Sequence, residues 1–149
     1  MSRVILLDTG ILGLVTNPKA TLQNQECKLW LNSLKPNGSI PVIPEIADYE
    51  LRRELLRAGK TKGIKQLDLL KTVVLYLPVT TQVMLKAAEL WATARKGGYP
   101  TAAPDALDAD VILAAQALLV ANEGNEVIIA TTNIGHLSRF VEAREWQDI

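Results

Sequence analysis

The chain has 149 residues, 48% of them apolar and 21% charged, which is the balance of a folded globular protein. Basic and acidic residues number 16 each, so the net charge points to no polyanionic partner. Apolar runs stop well short of the roughly 20 residues of a membrane span, and the first residues resemble a strand rather than a signal peptide. A single cysteine, Cys27, excludes an internal disulfide and is typical of a reducing cytoplasm, where we expect the protein.

Short apolar runs alternate with helical patterns along the chain, without a repeat or a linker. Strands are predicted over residues 4–7, 39–43, 73–77 and 127–130. A short helix is predicted to end before Asn17, and longer helices to cover residues 21–34, 44–58, 62–71, 80–96 and 105–121, with a loop over 99–104. Nearly all-apolar strands separated by helices predict an α/β fold, with a mostly parallel sheet covered on both faces, in one domain over residues 1–149.

The helix over residues 21–34 is expected to turn its apolar side chains toward the core. These are Leu22, Cys27, Leu29, Trp30 and Leu34. Cys27 is therefore interpreted as a buried thiol rather than a nucleophile.

Asp8 directly follows the apolar strand residues 4–7, and Thr9 and Gly10 allow the chain to turn away sharply. A carboxylate at such a position is costly unless a cation or hydrogen bonds compensate it. Asp8 either caps the next helix or binds a cation, and the sequence leaves both open. Asn133 also follows a predicted strand, and ligands of parallel sheets bind beyond these carboxyl ends.

A second group of acids lies at the start of the helix over residues 105–121. Asp105 and Asp108 fit an N-cap and an acid in the first turn. Asp110 lies deeper, directly before the apolar residues 111–115, where an unpaired carboxylate is unusual. A divalent cation or an arginine would neutralise it. Asp108 and Asp110 face opposite sides of the helix, because two residues turn it by about 200°.

The helix after Pro44 carries a third group: Glu45, Asp48, Glu50 and Glu54. Glu45 lies in the first turn, where an acid suits the helix dipole. Asp48 and Glu50 flank the apolar stripe on opposite sides, so the helical wheel does not choose between them.

Carboxylates that converge favour a hard cation such as Mg²⁺ or Mn²⁺. One cysteine and one histidine cannot build a zinc site, and the sequence has neither a nucleophile elbow nor a Walker A loop. The segment from residue 52 to 65 holds six basic residues against one acid, namely Arg52, Arg53, Arg57, Lys60, Lys62 and Lys65 against Glu54. This basic segment is either a solvated helix face or a phosphate-binding patch.

Four motifs in order resemble the PIN domain family: Leu-Leu-Asp-Thr at 6–9, the helix start at 44–51, Asp-Val-Ile-Leu-Ala-Ala-Gln-Ala at 110–117 and Ala-Thr-Thr-Asn at 130–133. Together they span almost the whole chain. The resemblance implies a three-layer α/β/α sandwich and an RNA-cleaving enzyme that uses Mg²⁺ or Mn²⁺. It also implies the toxin half of a toxin–antitoxin pair of the VapC type, with an antitoxin partner and a homodimer.

Carried over by motif, Asp8, Glu50 and Asp110 would hold the ion, directly or through water. Asp48 remains an alternative to Glu50, and Asp108 is an extra acid that would support Asp110. Thr9, Thr131 and Asn133 would orient ligands or waters, although the neutral Asn133 would weaken a second ion. Arg52, Arg53 and Lys60 are candidate RNA contacts.

Two other functions compete with a nuclease. A phosphatase of the haloacid dehalogenase type also uses an acid at the end of a strand, but it needs a second acid two residues later, where this chain has Gly10. The second competing function is that of a PIN-like module that binds RNA or a protein without cutting. The neutral Asn133 is compatible with such a module.

Overall fold

The computed structural model describes residues 2–97, 104–135 and 137–149, with the side chains of residues 104–106 left aside. Its strands are β1 (Arg3–Leu7), β2 (Ser39–Pro44), β3 (Leu75–Leu77), β4 (Glu126–Thr131) and β5 (Ala143–Glu145). Its α-helices are α1 (Thr9–Thr16), α2 (Leu22–Leu34), α3 (Glu45–Arg57), α4 (Thr61–Val73), α5 (Thr81–Lys96) and α6 (Pro104–Ala121). Short 3₁₀ turns cover Leu137–Arg139 and Trp146–Asp148.

The five strands form one sheet in the order β3-β2-β1-β4-β5, and every neighbouring pair is parallel. Residue Ile5 of the central strand is in register with Pro41 of β2 and with Ile128 of β4. The predicted parallel sheet is therefore confirmed. Because the chain moves to one side of β1 with β2 and to the other with β4, the carboxyl end of β1 lies at a topological switch point, where such sheets bind ligands.

Side chains of β1 alternate between two apolar layers, as the pleat of a strand requires. Ile5 and Leu7 pack in the core beneath α1 and α2, and Val4 and Leu6 pack on the other face beside Leu113 of α6. Helices thus cover both faces of the sheet, which confirms the three-layer α/β/α architecture.

Threonines fix the starts of two helices close to their predicted positions. Thr21 accepts a hydrogen bond from the Asn24 backbone N–H, and Thr80 accepts one from Val83, both at 3.2 Å. Pro44 differs from its prediction, because it is the last residue of β2 and caps α3 instead of opening it. The predicted loop over 99–104 lies outside the described residues, apart from Pro104.

The buried side of α2 differs from the predicted one. Leu22 and Leu29 are exposed, while Cys27, Leu31 and Leu34 are buried at the spacing of one helix face. The prediction was wrong for the two leucines because it grouped every apolar residue regardless of its angle around the helix. Cys27 is buried as predicted, and burial raises the pKa of its thiol to about 11, so it stays protonated and is a poor nucleophile.

Neither the edge strand β5 nor the turn after it was predicted from the sequence. This strand has three residues, two of them charged, which gives a weak strand signal. Trp146 directly after it is buried, with its ring 5.8 Å from that of Trp30 on α2. No helix within the described ranges is long and apolar enough to cross a membrane.

Candidate active site

Asp8 lies at the carboxyl end of β1, where its side chain is held by two donors. The Thr9 backbone N–H donates to Asp8 Oδ1 at 2.7 Å, and Thr131 Oγ1 at the end of β4 donates to Oδ2 at 2.7 Å. Burial raises the pKa of Asp8, and these hydrogen bonds offset part of that rise. The carboxylate thus does cap α1, with no cationic side chain bonded to it in the part of the chain that is described.

Glu50 reaches the same place from α3. Thr9 Oγ1 donates to Glu50 Oε1 at 2.8 Å, so one threonine bonds both acids, Asp8 through its backbone and Glu50 through its hydroxyl. Burial raises the pKa of Glu50 and the charge of Asp8 raises it further, while the bond from Thr9 and the charge of Arg53 lower it.

Asp110 completes the group from the first turns of α6. Burial raises its pKa to about 6, and the negative charges of Asp8 and Glu50 add to the rise. Among the described residues it has neither a hydrogen bond nor an ion pair. Asp8, Glu50 and Asp110, which together form the acidic trio, therefore repel one another with little compensation.

The acidic trio provides the ligand chemistry that a hard divalent cation prefers, since all its donors are carboxylate oxygens and Asp110 is free to accept. The three side chains do not yet form a ready ligand group, since no cluster of three or more acidic, histidine or cysteine side chains in the described ranges could directly enclose an ion. Asp8 and Glu50 direct oxygens to threonines instead. The site fits a cation whose contacts are completed by water or by a turn of Glu50.

The structure distinguishes Asp48 from Glu50, which the helical wheel did not. Asp48 lies on another side of α3, where it accepts hydrogen bonds from Arg52 Nε at 3.1 Å, Lys71 Nζ at 3.0 Å and the Tyr76 hydroxyl at 3.0 Å. Its charge is fully compensated there. Glu50 is thus the acid of α3 that adjoins Asp8.

Two other predicted site residues lie apart from the acidic trio or are turned from it. Asp108 is exposed and lines a groove between α6 and α5, beside Met84 and Trp91. Asn133 follows Thr131 at the correct edge of the sheet, but its Oδ1 accepts from the Gly135 backbone N–H at 3.1 Å within its own turn. Thr131 itself is buried and contacts Asp8.

The three candidate RNA contacts have different surroundings. Arg52 is held by Asp48 and by Asp68, the latter at 2.8 Å, and is not available for a phosphate. Arg53 is exposed, 3.9 Å from Glu50 Oε2, with its guanidinium over the Tyr49 ring. Lys60 is exposed at the turn between α3 and α4.

Gly10 lies in a closely packed position near Asp8, which the sequence indicated only through its turn and through the missing second acid. A Cβ on Gly10 would lie 2.6 Å from Thr132 Oγ1, which is too close for any side chain unless Thr132 moves. Glycine here lets the start of α1 approach the loop after β4, so that Asp8 and Thr131 can meet. The second acid of a haloacid dehalogenase would have to occupy this filled space.

Fold and site together define an α/β/α protein with an acidic centre at the switch point of a parallel sheet, and similar folds are known. VapBC2 from Rickettsia felis, bound to a DNA fragment from its promoter, matches with a TM-score of 0.71 at 16% identity, over 96% of this chain and 98% of that one. FitAcB from Neisseria gonorrhoeae matches with a TM-score of 0.66 at 22% identity, over 97% of this chain and 99% of that one. Mycobacterium tuberculosis VapC20, a toxin that cleaves the sarcin-ricin loop, matches with a TM-score of 0.63 at 19% identity, over 93% of this chain and 97% of that one.

No protein-family model and no curated protein matches the sequence. At these identities the structural matches establish the fold, and they confirm the PIN-type fold that the sequence motifs predicted. They cover nearly the full length of both chains, so the likeness extends to the layers that carry the acidic trio.

Proposed function

We propose that this protein is a ribonuclease that hydrolyses RNA phosphodiester bonds with the help of Mg²⁺ or Mn²⁺. The observation that carries the proposal is the acidic trio: acids from β1, α3 and α6 converge at the switch point, with a raised pKa for each. Folding has brought together charges that repel, which is costly unless a cation binds there. The fold shared with VapC20, a toxin that cleaves the sarcin-ricin loop, favours RNA as the substrate.

In this proposal each residue has a defined task. Asp8, Glu50 and Asp110 hold the ion, directly or through water. The ion supplies a more acidic water and charge stabilisation at the phosphoryl group. Thr131 fixes the rotamer of Asp8, and Thr9 fixes Glu50, so both acids are oriented before substrate arrives. Asn133 would bind water or a ribose oxygen through its amide nitrogen, since its oxygen is engaged in the turn.

The test is cleavage of a single-stranded RNA by the purified protein with Mn²⁺, compared with EDTA and with Asp8→Asn. We expect cutting that needs the ion and is lost in the variant. RNA binding without cutting, in wild type and with every divalent ion tried, would support the non-catalytic module instead. Cleavage that survives both EDTA and Asp8→Asn would show that this site is not responsible.

We further propose that the protein is the toxin of a toxin–antitoxin pair. VapBC2, FitAcB and VapBC-1 from nontypeable Haemophilus influenzae, the last with a TM-score of 0.64, share the fold along nearly their full length. A small antitoxin-like protein encoded beside the gene should bind this protein and abolish the cleavage. Growth arrest on expression, relieved by Asp8→Asn or by that neighbour, would support the pairing.

A homodimer is also expected, and light scattering after size exclusion would measure it.

A further inference from the structure

Arg53 is a cation that lies against the acidic trio without being fixed to it. Its guanidinium is 3.9 Å from Glu50 Oε2, beyond hydrogen-bond length, and its side chain is 52% exposed. It is supported by the Tyr49 ring, whose centroid lies 5.1 Å from the guanidinium carbon. This arrangement holds a positive charge beside Glu50 by stacking and by weak attraction, so the guanidinium can turn to another anion at little cost.

Neighbouring arginines on α3 show how different this arrangement is. Arg52 is bonded to Asp48 and Asp68, and its side chain helps to join α3 to α4. Arg57 has the same spacing to Glu54 as Arg53 has to Glu50, but it forms a close pair at 2.7 Å and is 74% exposed. Of these three arginines, Arg53 is the one in contact with an acid of the trio.

If the site binds a divalent cation, the ion and Arg53 compete for the carboxylate of Glu50. In the structure its Oε1 accepts from Thr9 and its Oε2 faces Arg53. The oxygen that faces Arg53 accepts no hydrogen bond from the residues that the structure describes, so it is the oxygen of Glu50 that could most easily bind an ion. Arg53 then loses its anion, and a second positive charge nearby favours its turning outward, away from the ion.

An RNA substrate supplies the anion that Arg53 would then lack. A phosphodiester that approaches three carboxylates meets repulsion even when an ion is bound. An arginine fork matches phosphate oxygens with two parallel hydrogen bonds. Tyr49 keeps the guanidinium near the site in either position, since the ring packs against it from the preceding helical turn.

We propose that Arg53 exchanges partners during the reaction: it pairs with Glu50 before an ion binds, and it contacts a phosphate of the RNA afterwards. The inference rests on the proposed nuclease function. It assigns to one side chain two effects of opposite sign, since the same charge opposes ion binding and favours RNA binding. A residue with a purely structural role would weaken both when it is replaced.

The experiment compares Arg53→Gln with Arg57→Gln, which removes the same charge from the same helix one turn further from the acidic trio. Binding of Mn²⁺ alone is measured by calorimetry, and cleavage of a single-stranded RNA is measured at saturating Mn²⁺. We expect Arg53→Gln to bind Mn²⁺ about 3- to 10-fold more tightly and to lose about 10-fold or more in kcat/KM, mainly through KM. Arg57→Gln should change the Mn²⁺ affinity and kcat/KM by less than about 2-fold each.

Further variants separate charge from shape. Arg53→Lys keeps the charge without the fork, so its Mn²⁺ affinity should stay near that of wild type while part of the loss in KM remains. Tyr49→Ala should resemble Arg53→Gln in KM, because the guanidinium would lose its support.

Four outcomes would overturn the inference. Equal effects of Arg53→Gln and Arg57→Gln would mean that general surface charge is responsible. Weaker binding of both Mn²⁺ and RNA by Arg53→Gln would mean a structural role. If wild type neither binds Mn²⁺ nor cuts RNA, the proposed function falls first, whereas normal wild-type behaviour with an inert Arg53→Gln refutes the exchange alone.

Discussion

Asp48 and Glu50 are two residues apart on one helix, yet the protein treats their charges in opposite ways. Asp48 has a side chain that is 6% exposed, and it accepts from Arg52, Lys71 and Tyr76, so its burial is compensated. Glu50 faces Asp8 and Asp110, and its strongest hydrogen bond comes from the neutral Thr9. The first arrangement stabilises the fold, and the second leaves the charge of Glu50 without a closely bonded cation among the described side chains.

The difference teaches how to separate structural from functional acids. Burial alone does not do so, because Asp48 is the more buried of the two. What distinguishes them is whether cations of the protein itself satisfy the charge. A substitution can therefore remove the compensation at Asp48, or it can alter the charge or the geometry of the acidic trio.

Replacement of Asp8 by Asn should have the largest effect. It keeps the side-chain shape but removes a charge that an ion requires, so we expect cleavage of RNA to fall on the order of 1,000-fold. The folded state should persist, since the amide oxygen can still accept from the Thr9 backbone N–H while the amide nitrogen can donate to the Thr131 hydroxyl oxygen. Circular dichroism checks the fold and a fluorescent RNA assay checks the rate, and a variant with undiminished activity would show that the trio is not the catalytic site.

Replacement of Asp48 by Asn should instead act on stability. Arg52 and Lys71 would lose the anion that compensates them, and we expect the free energy of unfolding to fall by about 2 to 3 kcal/mol. Urea unfolding measures this. Asp68→Asn is the control, because it removes the exposed partner of Arg52 and should cost less than about 1 kcal/mol. Equal losses in the two variants would contradict the importance of burial at Asp48.

Gly10→Ala changes the geometry near Asp8 without changing any charge. The new methyl would lie 2.6 Å from Thr132 Oγ1, and we expect a loss of about 1 to 2 kcal/mol together with reduced cleavage. Thr132→Ala removes the obstructing hydroxyl, so the double variant should recover most of the stability. If the stability losses of Gly10→Ala and Thr132→Ala simply add in the double variant, the contact between these two residues is not the cause of the loss.

Asp110→Asn should stabilise the ion-free protein, by about 1 kcal/mol at pH 7 once solvent screening is allowed for. The raised pKa of about 6 means that the folded state holds this proton more tightly than the unfolded state does. Wild-type stability should therefore fall as the pH rises from about 4 to 6, and the variant should lack this component. Asp108→Asn, two residues away and exposed, is the matched control for removing a charge from the same helix.

Much of the fold can be predicted from the sequence because apolar periodicity reports local structure. Four of the five strands and all six helices were predicted in order, since each has a continuous or periodic apolar pattern. The strand β5 has no such pattern and owes its existence to pairing with β4. The exposed Leu22 and Leu29 were misplaced because composition alone does not fix an angle around a helix.

The acids of the site could be proposed from the sequence, but their arrangement could not. Asp8 follows an apolar strand and Asp110 directly precedes an apolar run inside a helix, and both anomalies are visible locally. The decision between Asp48 and Glu50 depends on Lys71 and Tyr76, which are more than twenty positions away. The need for Gly10 likewise depends on Thr132, which comes close only through the pairing of β1 with β4.

That pairing also sets when the proposed catalytic centre can form. The bond from Thr131 to Asp8 joins residues 123 positions apart, and the central strand has β4 as one of its two neighbours. A nascent chain whose β4 is still inside the ribosome has Asp8 and Glu50, but it lacks the hydrogen bond from Thr131 to Asp8. The proposed nuclease activity should therefore arise abruptly and late in translation.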